Sequence, residues 1–233
     1  IVLLSAFVVG GVLYFAGDNL VVENHYHDLE LKSNLLYEKF DNQFNYFENL
    51  FKLISHAGDE AERIALVIKD ERFLDENIIG YRILNKESLV LAEDNALKLK
   101  NSTAPTTQIV SGLSLTEVLL DEEGRAYIQL MMDLDHLKVE IIYDFQSFLE
   151  ESTRYFRKNP DDGLIYLING RGEYLFHPSE FKRFSSAKEI KYTIFEEFSH
   201  PSLEEFIKEK GKGALKLQGS YQKKKTLNLI KPF

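Results

Sequence analysis

Few side chains in this 233-residue chain stand at spacings that reaction chemistry requires. His177 is a general base by type, yet no Ser, Cys or paired acid stands where it could be activated or could share a proton. Placed just before Pro178, it reads as a turn residue. Asp133 and Asp135 flank Leu134 in a turn and do not form an acid–base dyad. Gly170-Arg171-Gly172 is too short for a phosphate loop and lies between two strand-like runs, where a phosphate loop needs a strand and a helix. His25 and His27, two apart on a helical stretch, point to different faces and make a poor metal pair. Lys223, Lys224 and Lys225 read as a solvated hairpin tip, with an anionic-lipid contact as the alternative. No Gly-x-Ser-x-Gly or His-Glu-x-x-His pattern occurs. We therefore expect no catalytic residue, no metal and no cofactor in this chain.

Composition narrows the remaining classes. Lys and Arg number 28 against 37 Asp and Glu, a formal charge of −9, whereas phosphate backbones require a basic face. A nucleic-acid partner is excluded on that ground. The absence of cysteine excludes a disulfide framework, a Cys-ligated zinc and a thiol nucleophile. Hydrophobic residues at 44% suffice for packed cores, and the length allows one or two domains. Ile1 is not a start residue, so the chain reads as a piece of a longer protein.

The elements that would position any site begin with an uncharged run over residues 1–16. It falls just short of the roughly 17–25 residues that span a bilayer. We read 1–17 as part of a transmembrane segment, with a signal-peptide core and a buried core helix as rivals. A long stalk helix over 18–57 follows. Val22, Tyr26, Leu29, Leu36, Phe40, Phe44, Phe47, Phe51 and Ile54 recur at helical spacing, and Gly58 is its stop. This aromatic stripe packs on a sheet or a partner helix, and it offers a seam for a homodimer.

Beyond the stalk the period changes to that of strands. After a short helix over 59–69, strands are expected at 78–84 and 88–92 around the turn Asn85-Lys86-Glu87. Three more are expected at 108–120, 125–132 and 137–143. An amphipathic helix over 144–157 leads to Asn159-Pro160-Asp161-Asp162-Gly163, a boundary signal. A second hairpin follows, 164–168 and 173–177 around Asn169-Gly170-Arg171-Gly172. A helix near 202–210 and strands at 214–217 and 226–230 complete the pattern. The second copy is short of the first by at least one strand. The fold class is α+β: a long N-terminal helix, then two antiparallel sheet modules over 58–157 and 158–233, the second incomplete.

This order of span, long helix, sheet, connecting helix and second sheet resembles the double Cache (PAS-like) sensor domains of bacterial transmembrane receptors. The segment from Asp162 to Pro178 carries most of the resemblance: a Gly-aromatic strand, an Asn-x-x-Gly turn, and an apolar strand ending in His177-Pro178. The resemblance implies an extracytoplasmic, periplasmic input module for residues 18–233, held at the inner membrane. A small ligand would bind in the membrane-distal module, and the signal would pass through the stalk. A sensor histidine kinase is the first reading of the output. A diguanylate cyclase, a chemotaxis receptor, or a membrane-anchored partner-binding protein without a small ligand are the alternatives. The chain has no tryptophan, so the Arg-x-Trp-Tyr motif of the amino-acid-binding branch is missing and the ligand stays open.

On that reading an anionic ligand would call for donors on the distal sheet, with arginine the best fork for a carboxylate. Arg82 and Arg125 are the available cations, and Tyr81, Tyr127 and Gln129 could add hydrogen bonds. Strand alternation forbids Tyr81 and Arg82 from facing the same pocket. Solvent-facing arginines and core or edge tyrosines are the competing reading of these five positions.

Overall fold

The computed structural model describes residues 7–13, 19–94, 106–154, 164–198, 201–208, 215–221 and 224–232. It opens with strand β1 (Phe7–Leu13), followed by helix α1 (Asn19–His56). The described chain divides into two compact units, one of residues 41–150 and one of residues 7–40 with 151–232. The helix α1 is continuous through 38 residues, about 57 Å at 1.5 Å per residue, and its two halves belong to different units. Tyr26, Leu29, Ser33, Leu36, Phe40, Phe47, Leu50 and Ile54 are buried along it, at steps of three, four and seven. Gly58, at φ +84°, takes the left-handed conformation just past its end.

The first unit continues with α2 (Ala61–Leu74) and strands β2 (Ile78–Asn85), β3 (Val90–Asp94), β4 (Thr106–Val110), β5 (Leu113–Thr116), β6 (Leu119–Leu120), β7 (Ala126–Asp133) and β8 (Leu137–Tyr143). Helix α3 (Phe145–Thr153) follows. The sheet runs β3-β2-β8-β7-β5-β4 with β6 beside β7, every pair antiparallel. Ile83, Val139, Ile141, Tyr143, Leu130, Met132, Leu113 and Leu115 share one sheet face by register and are buried. The Phe47 ring meets Tyr143 edge-on at 5.0 Å, which identifies this face as the one under α1. Burying a side chain such as Leu50 or Ile54 there is worth about 1.5–3 kcal/mol.

The single strand expected over 108–120 is three strands. Ser111-Gly112 makes a two-residue turn between Val110 and Leu113, with Gly112 at φ +84°. A Cβ on Gly112 would sit 3.0 Å from the Phe51 ring and 3.1 Å from the Asp133 carbonyl, so sterics as well as φ reserve this position for glycine.

In the second unit, β9 (Leu164–Ile168) and β10 (Tyr174–Phe176) form the expected hairpin. Asn169 Oδ1 accepts the Arg171 and Glu173 amides at 2.9 and 3.1 Å and so builds the turn. After two short 3₁₀ turns come α4 (Ile194–Glu197), α5 (Pro201–Lys208), β11 (Leu215–Tyr221) and β12 (Lys224–Pro232). Tyr166, Ile168, Tyr174, Ile194, Leu203 and Ile207 form the core of this unit.

The N-terminal expectation is corrected here. Residues 1–17 were expected as part of a membrane-spanning helix, but Phe7–Leu13 is a strand in the middle of the second sheet, whose order is β10-β9-β1-β12-β11. It pairs antiparallel with β12 through seven residues and with β9 through five. Among the described residues no helix is long and apolar enough to cross a membrane. The physical reason is an ambiguity of pattern: a short uncharged Val/Leu run suits a strand flanked on both sides as well as it suits a helix in lipid. The strand by which the second module seemed short is therefore supplied from the other end of the chain. Of the aromatic stripe on α1, Tyr26, Phe40 and Phe47 are buried within the chain, whereas Phe44 and Phe51 are half-buried. Residues 155–163, which hold the boundary signal, lie outside the described residues, as do 222–223 at the lysine-rich tip.

Candidate functional site

The face of the first sheet opposite its helices carries polar groups. Register places Glu93, Arg82, Glu140, Met131, Ser114 and Gln108 in one row across six strands, from β3 to β4. Beside it, Gly80, Ile142 and Gln129 form a second row, and Leu84, Lys138 and Asp133 a third. The two-residue period puts all of these on the same side.

At the centre of this face lies an ion-pair triad. The Glu140 side chain is only 7% exposed, and Arg82 reaches its Oε2 with both Nε (2.9 Å) and Nη2 (2.5 Å). Lys138 Nζ takes the other oxygen at 2.9 Å. Burial raises the carboxyl pKa of Glu140, but the Lys138 and Arg82 hydrogen bonds and charges outweigh it and hold the group below its ordinary value. Two cations share this one buried carboxylate, with Glu93 beside Arg82 and Asp133 beside Lys138 on the same face, so positive charge is confined to the Arg82 and Lys138 head groups. The Arg82 side chain is 42% exposed, and its Nη1 has no partner among the described residues. Such an edge can donate to an incoming carboxylate or phosphate oxygen.

The five sequence-predicted positions separate in three directions. Arg82 and Gln129 lie on the polar face, and Tyr127 shares their parity, being two residues before Gln129 on β7. Tyr127 is nonetheless buried, and its hydroxyl donates to Asp121 at 3.1 Å; burial first, and Asp121 second, push its pKa up to about 12. Gln129 donates its backbone amide to Thr116 Oγ1 at 2.9 Å, while its half-buried side chain stands on the open face. Tyr81 lies on the opposite, helix-covered face, aligned with Ile141. Arg125 lies before β7 and bonds Asp144 and Ser147 (3.0 Å to its Oγ). Asp144 in turn accepts the Ser147 amide at 2.9 Å and caps α3, so Arg125 ties a helix cap to the sheet end. That hydrogen bond to Asp144 raises the Arg125 pKa.

Sequence reasoning missed Glu140 and Lys138. Their signal was present: in Leu137–Tyr143 they are the two charged residues of an otherwise apolar strand, at the alternation of one face. A second polar cluster was read only as a turn. In the second unit the buried His177 and Lys182 both bond Oε1 of Glu197 on α4. Among the described residues no group of three or more acids and histidines could hold a metal ion.

No family model matches this chain, and no curated protein matches it by sequence. Solved structures do. The extracellular domain of vpHK1S-Z8, a protein assigned as a histidine kinase, superposes with TM-score 0.51 at 11% identity over 94% of this chain and 97% of that one. The periplasmic sensory domain of the Campylobacter jejuni chemoreceptor Tlp1 gives TM-score 0.49 at 9% identity, over 91% and 93%. An extracellular ligand binding receptor from Desulfohalobium retbaense gives 0.47 at 11%, over 84% of this chain. The chain spans 39% of the length of that receptor. What the vpHK1S-Z8 comparison establishes is architecture: this chain shares an α+β, PAS-like fold with that domain.

Proposed function

We propose that this chain is the extracytoplasmic input module of a membrane signal-transduction receptor, a double Cache sensor that binds a small anionic molecule on its first sheet. One observation carries the reading: on the face of the sheet opposite its helices stands a half-exposed Arg82 whose Nη1 has no partner among the described residues, oriented by a buried Glu140 and flanked by Lys138. A carboxylate seated at Nη1 would have Gln129 and Ser114 at hand for its neutral part, since both stand half-buried on the same face. The first output to seek is a histidine kinase, ahead of a diguanylate cyclase or a chemotaxis domain. The module works as a homodimer through α1, with exposed Leu31 and Leu35 at the contact.

Binding shifts a receptor only through a difference in affinity between two states. α1 is the element able to transmit such a difference, because it runs through both units without a break. The test is a thermal-shift screen of small carboxylates, phosphate esters, amines and sugars on the full chain, which retains β1. A saturable shift with an anion that vanishes in Arg82→Met supports the reading. A shift that survives Arg82→Met moves the site elsewhere, and no shift from a folded sample favours a module without a small ligand.

A further inference from the structure

His177 ends the β9–β10 hairpin with its side chain 3% exposed, its ring 4.7 Å from that of Tyr174 and 5.1 Å from that of Tyr166. Its two nitrogens have different partners. The Ser179 amide donates to Nδ1 at 2.8 Å, which requires Nδ1 to be an unprotonated acceptor. The ring proton therefore sits on Nε2 and is donated to Glu197 Oε1 at 3.0 Å. Among the described residues, these charged or titratable groups stand around the ring. Glu197 comes from α4, Lys182 from the 3₁₀ turn Glu180–Lys182, and Tyr166 and Tyr174 from the hairpin. Arg183 donates Nε to the His177 carbonyl at 2.8 Å, and Glu180 lies 3.7 Å from its Nη1.

We propose that His177 is a proton-operated latch. Neutral, it ties the Ser179 amide and α4 to the end of the hairpin. When a proton from solvent binds Nδ1, that nitrogen becomes a donor, the Ser179 amide loses its acceptor, and the turn His177–Ser179 opens. The site can hold the charged ring. Glu197 Oε2 is buried with no partner among the described residues, so the carboxylate has unused capacity to balance an imidazolium. The flanking tyrosine rings add cation–π attraction. Lys182, which shares Oε1 and is about one-fifth exposed, is the group that can swing to solvent as the new charge arrives. This inference stands on the second unit alone and does not depend on the anion site.

The experiment uses the full chain with ¹⁵N-labelled histidine and follows the His177 ring and the Ser179 amide from pH 8 to pH 5. At pH 8 the Nε2–H tautomer is expected. As the ring titrates, Ser179 protection, corrected for intrinsic exchange, should fall roughly tenfold while β8 amides keep theirs. In His177→Asn, Oδ1 still accepts the Ser179 amide two residues on but cannot titrate, so protection should stay flat. An Nδ1–H tautomer at pH 8, a ring that does not titrate by pH 5, Ser179 protection unchanged through the ring's titration, or the same loss in His177→Asn would each overturn the latch. Should the Asn variant not fold, the two wild-type measurements decide by themselves.

Discussion

Glu140→Gln should move stability and ligand affinity in opposite directions. In the native triad the carboxylate receives Arg82 and Lys138 on separate oxygens. Charge-assisted bonds of this kind are worth about 1.5–3 kcal/mol each when shielded from water. Both cations are about two-fifths exposed, so solvent screening reduces the pair to a combined effect of about 1–2 kcal/mol. Neutralising Glu140 should cost the first unit that amount. The same change removes the carboxylate bonded to both cations and leaves Glu93 and Asp133 as their neighbouring acids on that face. One unit of charge acting over about 6 Å at an effective dielectric of about 20–80 contributes about 0.7–3 kcal/mol. Affinity for a small anion should therefore rise about 3- to 100-fold. Arg82→Met should instead abolish anion binding and destabilise by about 1 kcal/mol, because Lys138 still covers one carboxylate oxygen. Amide exchange in β2 and β8 reports the stability of this unit, and titration calorimetry with the best anion from the screen reports affinity. In the double-mutant cycle the two sites should couple by about 0.5–1.5 kcal/mol. If Glu140→Gln weakens anion binding while Arg82→Met leaves it intact, the face is structural and the ligand binds elsewhere.

Four further outcomes are expected. Deleting residues 1–17 exposes the facing edges of β9 and β12, so amide protection in both should collapse while β2 and β8 are unaffected; unchanged β9 protection would show β1 to be dispensable. Gly172→Ala should cost about 2–4 kcal/mol, because the residue sits at φ +77° and a Cβ would meet the Phe195 ring at 2.5 Å. Gly58→Ala, at φ +84° in open space, should cost only about 1–2 kcal/mol, and equal losses in a denaturant titration would remove the steric account. Glu140, Glu173 and Glu197 have depressed pKa values, so the stability they confer is complete above their unfolded value of about 4.3 and is lost as pH falls through their folded values. Urea midpoints should hold between pH 7 and 5 as far as these groups are concerned and drop below about pH 4, whereas neutralising all three should flatten that drop. Leu31→Glu with Leu35→Glu should shift sedimentation toward monomer without lowering stability, since both side chains are half-exposed; a monomeric wild type at high concentration would dispose of the α1 contact.

Local rules carry much of this architecture. The three-and-four spacing from Tyr26 to Ile54 is enough to specify α1 and its buried stripe, because a helical face must bury its apolar positions together. Asn85 and Asn169 announce their hairpins through side chains that cap their own turns within four residues. Strand alternation alone separates Tyr81 from Arg82. Where the expectations and the structure differ, the deciding contacts are distant in sequence. Ser111-Gly112 breaks one expected strand because Phe51 and Asp133 close on it.

What the sequence determined by itself is therefore the set of elements and their faces, together with the chemistry the composition rules out. Tertiary structure decided three things that spacing could not. It engaged Arg125 with Asp144 and left one edge of Arg82 open, because the orientation of a guanidinium depends on which acid lies across the sheet, 19 or 58 residues away. It brought His177, Lys182 and Glu197 together across 20 residues of loop and turn. And it placed Phe7–Leu13 between β9 and β12: an uncharged run states only that it must leave water, and the partners waiting in the fold determine whether it does so as a helix or as a strand.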